Sequence, residues 1–366
     1  MSDLKQRIYH IDALRCFCMI FGLAVHGATI GTATYISWIP EASGLFRMAA
    51  FFVVSGYFTA MMCLRSDYRT FLTNRSRMLL VPFVSALILL NPVTIWLFQW
   101  FHGGGNMLTN PGWTHPAKVW HLHLWFLISL FIYAALAPLV LKLAVTRPVE
   151  AAVAWLIRLP VWARMTLLSL LVAACVVLTR GFADVVVSPF VPHQLEFISQ
   201  RTFNYAAFFM MGLVAYRHRA LFDTMHTIFW PGLILFGALL YVHPMWAAEL
   251  PRSIERVAYW FVRSALIFTI VCALLELFRR MVKTGSPMLS RLTDGVYTFY
   301  IFHFLVIYII ANLVHPLTNN LYVIFAAIMI IGYPLLFLIH EKLIAPSPLL
   351  TLLFNGKVKP RPVPAS

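Results

Sequence analysis

Two ionisable residues, Arg15 and His26, stand eleven positions apart in the first apolar stretch, with no charged or amide side chain between them. On an α-helix that spacing is about three turns, so both lie on one face, roughly 16 Å apart along the axis. Ionisable groups inside a segment apolar enough to cross a bilayer are costly, and they usually mark a pathway or a reaction site. The residue types suit proton transfer and anion neutralisation. An imidazole that is neutral near pH 7 can take a proton from a hydroxyl, and a guanidinium presents a fork of donors to carboxylate or phosphate. Asp12 precedes Arg15 by three residues and is spaced to pair with it. Taken singly, each residue has a plainer explanation: a snorkelling arginine, or a histidine bonded to a neighbouring helix. Their shared face favours chemistry.

Further candidates follow along the chain. Arg47 opens the second apolar stretch, F-R-M-A-A-F-F-V-V-S-G-Y-F, and enters from the opposite side, near the depth of His26. Ser55 and Gly56 in that stretch allow close helix approach. Arg65, Arg69, Arg75 and Arg77 come next. They suit either a basic loop that sets topology or a clamp for phosphates. His123 and Trp125 lie in W-H-L-H-L-W-F-L at the start of the fourth stretch, where an aromatic belt is the simpler explanation. Tyr297, Tyr300 and His303 recur every three residues near one helix face, and His303 falls near mid-membrane, where it needs a partner or a wet cavity. Nucleotide-binding, serine-hydrolase and zinc-protease signatures are missing from the sequence, and no acidic–histidine cluster marks a metal site. No metal is expected.

The elements that must position these residues are membrane helices. The 366 residues are 61% hydrophobic and 11% charged, against about a quarter charged in soluble proteins. Lipid must therefore be the solvent for much of the surface. About ten stretches approach the ~20 residues a span needs: 11–31, 45–64, 78–101, 121–145, 164–180, 201–216, 228–246, 257–278, 293–314 and 321–341. Threading them in order puts 20 of the 28 Lys and Arg residues on the side of the N-terminus and 5 on the other, with 3 inside spans. Excess positive charge marks the cytoplasmic face, so both termini are expected to be cytoplasmic. The net charge of +15 is then a topology signal, and no nucleic-acid partner is expected. The Gly- and Asn-rich stretch from His102 to Pro116 is expected to be an irregular outer loop. The five cysteines sit in apolar runs without metal or redox spacing and are expected to be free thiols. The predicted fold class is all-α: one polytopic transmembrane bundle over residues 1–345, followed by a cytoplasmic tail over 346–366 whose end, from Gly356, is loose.

The same residues, in order, resemble the membrane-bound acyltransferase family 3. The likeness rests on R-x10-H in the first helix, R-M-x-x-F-F-V-x-S-G-Y-F in the second, basic residues before L-L-x-P in the third, H-L-W-F-L in the fourth, and Y-x-x-Y-x-x-H late in the chain. It runs from about residue 8 to 345, and the wording is nearest to a branch associated with succinylation of periplasmic glucans. The resemblance implies a bacterial inner-membrane enzyme that moves an acyl group, succinyl or acetyl, from cytoplasmic acyl-CoA to a hydroxyl of a periplasmic glycan. His26 would be the catalytic base and Arg15 its partner, with Asp12, Arg47, His123, Tyr300 and His303 around them. Arg69, Arg75 and Arg77 would meet the phosphates of acyl-CoA, and Ser55, Tyr57 and Trp125 would line its path. The sequence departs from the family pattern at Met78, where relatives often carry a further basic residue. Two other classes share these features: an exporter of anions or glycans without covalent chemistry, and a non-catalytic scaffold in envelope glycan assembly. Release of CoA separates the enzyme from both.

Overall fold

A computed structural model describes residues 8–30, 36–103 and 121–358. Among them there is no strand: a chain this apolar satisfies its backbone by helix formation, as a bilayer requires. Eight helical segments among the described residues are long and apolar enough to cross a membrane, or nine if one bent pair is counted as a span. None of the five cysteines forms a disulfide.

The helices follow the predicted stretches with instructive offsets. α1 (Tyr9–Gly27) carries Arg15 and His26. α2 (Trp38–Ser43) runs through a short turn into α3 (Arg47–Cys63). α4 (Tyr68–Leu89) begins ten residues before the expected third span, because the Asp67 side chain accepts the Thr70 N–H and caps it. Arg69, Arg75 and Arg77 are thus on a helix and not in a loop. Asn91-Pro92 then starts a new helix, α5 (Asn91–Phe101). Proline has no N–H to continue the ladder and suits a first turn, so the expected span 78–101 is two pieces.

A 3-10 turn, Leu122–Leu124, leads into α6 (Trp125–Leu143). α7 (Arg147–Arg158) buries no residue and has a polar and an apolar face; α8 (Val161–Phe182) follows it. α9 (His193–Arg217) is 25 residues long, enough to cross, but it is not among the helices apolar enough to count. α10 (Arg219–Met225) and α11 (Trp230–Tyr241) form the bent pair, at 63°. α12 (His243–Trp246) is one turn. Long helices α13 (Arg252–Met281) and α14 (Pro287–Val314) precede α15 (Leu321–Leu338), which continues as a wider π-helical turn to Ile344.

Position in the bundle follows from burial. In α14, 67% of the most apolar window is buried, against 22% in the span holding α15; α14 is interior and α15 rim. The tightest crossing joins α3 to α9. A Cβ on Gly56 would stand 2.1 Å from the Phe209 carbonyl oxygen, and one on Gly212 would stand 2.0 Å from that of Val53. Without a hydrophobic drive between helices in lipid, such backbone approach is what holds them.

The segment after residue 345, expected as a tail, contains α16 (Pro348–Asn355), which docks on α4. The Ser347 hydroxyl caps it, and P-L-L-T-L-L-F supplies an apolar face. Most of the expected outer loop over His102–Pro116, and the tail from residue 359, lie outside the described residues.

Candidate active site

Three histidines converge from three elements. His26 comes from the far end of α1, His123 from the 3-10 turn and His303 from the middle of α14. The His303 ring lies 5.2 Å from that of His26 and 4.6 Å from that of His123. Phe304 fills the angle between them, 4.5 Å from His26 and stacked on His123 at 4.6 Å. His303 and His123 are buried, whereas His26 is partly accessible.

A hydrogen bond fixes the tautomer of the His303 ring. His303 Nδ1–H donates to the Tyr300 carbonyl at 2.6 Å. Its Nε2 therefore carries the lone pair in the neutral ring, and that atom is buried without a hydrogen-bond partner among the described residues. Both His123 ring nitrogens are in the same condition. The Tyr300 hydroxyl donates to the His123 carbonyl at 2.7 Å, so Tyr300 positions the turn. Leu122, just before His123, has φ +46°, an uncommon conformation for a branched residue. Strain of this kind collects where a side chain must be held at a site.

Arg47 reaches this cluster from the start of α3. A Cβ on Gly22 would be 2.9 Å from Arg47 Nη1 and 3.7 Å from His303 Nε2. Glycine at that place in α1 makes the room in which guanidinium and imidazole meet. Arg47 forms no ion pair with a described carboxylate, and its Nε is buried without a partner. A half-buried cation beside histidines, with no described carboxylate paired to it, is electrostatically prepared for an anion that arrives or develops there.

Arg15 belongs to a different place. It lines a cavity of about 330 Å³ together with Ser55, Thr59, Arg75, Tyr297 and Lys357. That volume lies at the lower end of small-molecule sites, roughly 300–1,000 Å³. Arg15 pairs with buried Asp12 at 3.5 Å and lies over the Phe58 ring at 5.4 Å. Arg75 donates to Thr59 Oγ1 at 3.0 Å, and the Tyr297 hydroxyl donates to the Met78 carbonyl at 2.8 Å. The cavity wall ends at Phe51 and Phe126, whose rings are 4.7 Å apart. Beyond Phe126, at 5.6 Å, comes Tyr300, which rests on His123 at 5.0 Å. A layer of aromatic rings thus separates the cationic cavity from the histidines.

The sequence-predicted residues therefore fall into three sets. His26, Arg47, His123, Tyr300 and His303 come together at one site. Arg15, Asp12, Arg75 and Ser55 gather at or beside the cavity, so Arg15 is a cavity residue and not a neighbour of His26. Arg69, Arg77, Tyr57 and Trp125 join neither. Arg69 and Arg77 are exposed, and Arg77 donates to Asn74 at 3.1 Å. The reason is helical: residues two apart differ by about 200° in direction, so Arg75 faces inward and Arg77 outward. The same geometry separates Ser55 from Tyr57, which stacks on Phe222 at 4.5 Å. Trp125 stacks on Tyr205 at 6.1 Å and lies tilted to Phe52 at 6.3 Å.

Sequence reasoning missed Gly22, Thr59, Asp294, Asn355 and Lys357, of which the last four line the cavity. Thr59 was findable, one helical turn after Ser55. Gly22 and Lys357 carried no sequence signal.

A family described as an acyltransferase domain matches residues 8–339. The chain is 24% identical to the glucans biosynthesis protein C of Escherichia coli, over 96% of this chain and 95% of that one. The protein of the same name from Salmonella agona is also 24% identical, with the same coverage. No solved structure matches.

Proposed function

Since the chain belongs to this acyltransferase family, we propose that it takes an acyl group, succinyl or acetyl, from acyl-CoA at the arginine-lined end of the bundle and delivers it to a glycan hydroxyl at the histidine end. The observation that carries this reading is the two-site layout: cations around a cavity at one end of α1, and a histidine cluster with a half-buried, carboxylate-free arginine at the other. Phosphates cannot enter lipid, so Arg15 and Arg75 hold the charged part of the donor at the mouth. The pantetheine arm then spans the roughly 16 Å between Arg15 and His26, which requires the Phe126–Tyr300 layer to part.

At the far end, His26 takes the proton of the attacking hydroxyl as oxygen bonds to the thioester carbon. The carbonyl oxygen becomes an anion, which Arg47 is placed to stabilise. Collapse of the tetrahedral intermediate breaks the carbon–sulfur bond, and His26 returns its proton to the departing thiolate. His303, oriented by the Tyr300 carbonyl, and His123, held by the Tyr300 hydroxyl, keep His26 and Arg47 in register.

The excess of Lys and Arg on the arginine side favours a cytoplasmic donor site, both termini inside, and a periplasmic acceptor, in a bacterial inner membrane. The relatives are named for glucan biosynthesis, which makes an osmoregulated glucan the first acceptor to try. The test is purified protein in proteoliposomes, supplied with succinyl- or acetyl-CoA on one side and glucan on the other. Release of CoA thiol and a glucan mass increase of one acyl group support the reading. Passage of glycan or anion with every thioester intact would make it an exporter instead.

A further inference from the structure

α16 is anchored along its whole length. Ser347 caps it at Leu350, and buried Thr351 donates to the Ile344 carbonyl at 2.8 Å. Buried Asn355 accepts from the Thr298 hydroxyl at 3.3 Å, and Phe354 lies 5.0 Å from the Phe302 ring. The chain then leaves the helix through Gly356 at φ +62°, with its N–H on the Leu352 carbonyl, a left-handed helix end that suits glycine. Space makes the same demand: a Cβ on Gly356 would be 2.4 Å from Met78 Cα and 2.6 Å from the Arg77 carbonyl oxygen. An eight-residue helix is not stable on its own. These contacts fix the exit direction of the chain against α4.

What that exit presents is Lys357. Its side chain is exposed, lines the same cavity as Arg15 and Arg75, and makes no ion pair with a described residue. The cavity therefore draws its cations from three separate elements: α1, α4 and the segment after α16. Asp294 lines it too, without bonding to the lysine. Three cations around one cavity fit a ligand with several negative charges, and lysine serves phosphate as a compact point charge. The place that sequence gives to Arg77 is thus taken by a residue about 280 positions later, whose neighbour Gly356 packs against the Arg77 carbonyl.

We infer that Lys357 binds a phosphate of the acyl donor, with Gly356 and α16 as the support that aims it. The inference rests on reading the cavity as the donor site, and the experiment separates the two. Initial rates of transfer are measured against acyl-CoA for wild type, Lys357→Ala, Lys357→Arg and Lys283→Ala, the last an exposed lysine outside the cavity. They are measured again with acyl-pantetheine, which has the same thioester and arm but no phosphate. The expected result is a rise of about tenfold in KM for acyl-CoA in Lys357→Ala, largely restored in Lys357→Arg. Lys283→Ala stays near wild type, and acyl-pantetheine does not distinguish Lys357→Ala from wild type. An unchanged KM for acyl-CoA, or an equal loss with acyl-pantetheine, overturns the role of Lys357 and leaves the donor site standing. So does loss of folded protein in Lys357→Ala, read by thermal unfolding, because the lysine would then be structural. A wild type that uses acyl-pantetheine as well as acyl-CoA, or uses neither, overturns the donor site and Lys357 with it.

Discussion

Replacing Gly22 with alanine should damage catalysis while leaving the fold intact. The added Cβ would stand 2.9 Å from Arg47 Nη1, where ordinary contact begins near 3.4 Å. The obstacle is the far end of a flexible side chain, so the guanidinium retreats by about 0.5 Å or more and the helix stays where it is. Alanine in a helix interior is favoured over glycine by roughly 0.5–1 kcal/mol, which offsets the crowding. The catalytic cost is larger. A misplacement of about 1 Å at a reacting site can cost on the order of 100-fold, so half that displacement predicts roughly a tenfold fall in kcat. The assay is CoA thiol release at saturating donor, paired with thermal unfolding in detergent. Gly56 supplies the contrast. There the Cβ meets the Phe209 carbonyl oxygen at 2.1 Å, and backbone cannot step aside, so Gly56→Ala should lower the unfolding temperature sharply, with overpacking worth about 1–3 kcal/mol or more. Because Gly22 acts through Arg47, adding Gly22→Ala to Arg47→Ala should change nothing further. A Gly22→Ala protein with full kcat would refute the reasoning. So would one whose kcat falls equally in the Arg47→Ala background.

His26→Ala should abolish transfer while leaving folded protein in the membrane, checked by activity and size-exclusion elution; wild-type turnover would remove His26 as the base. Arg75→Ala should raise KM for acyl-CoA, a charge-assisted contact being worth about 1.5–3 kcal/mol, whereas exposed Arg77→Ala should leave it nearly unchanged; the reverse order would mean that the cavity is not the donor site. The Thr70 N–H holds the Asp67 carboxyl below the usual carboxylate range. Its contribution to stability is complete above that range and is lost as pH falls through the lowered value. Asp67→Ala should therefore lower the unfolding temperature at neutral pH, and the gap to wild type should close in strong acid; a gap independent of pH would dismiss the cap. On a background without the five cysteines, Ser66→Cys should react with an impermeant thiol reagent only after permeabilisation, and Glu249→Cys from outside; labelling of Ser66→Cys from outside would invert the bundle.

The parts of this protein that composition and spacing can specify were legible. Apolar length gives helices in lipid, so the bundle and most of its spans follow from hydropathy. The histidine cluster was half legible, because an ionisable residue in an apolar helix is conspicuous wherever it stands. Adjacency was harder to read. Arg15 and His26 share a face, yet three turns keep them at different sites. Arg75 and Arg77 look equivalent in a row of arginines and separate only once Asp67 is seen to start the helix at Tyr68. α9 faces its neighbours more than lipid, so its hydropathy understates its place. Lys357 was out of reach, since its position depends on a glycine meeting a carbonyl from a distant helix. Chain separation of that size leaves no periodicity to read.

The ring layer of Phe51, Phe126 and Tyr300 bears on more than the route of the donor. A continuous wet passage from a cationic mouth to a group of imidazoles would conduct protons, since chains of water and titratable side chains relay them readily. A cell that maintains a voltage and a proton gradient across such a membrane loses work through every leak of that kind. Rings in contact at 4.7 to 5.6 Å leave no room for a file of water between them. The cavity reaches none of His26, His123 and His303, and on the proposed route a donor arm threaded between the rings would occupy the gap it opens. On the proposed route, the side chains that the donor arm displaces are the ones that close the passage between turnovers.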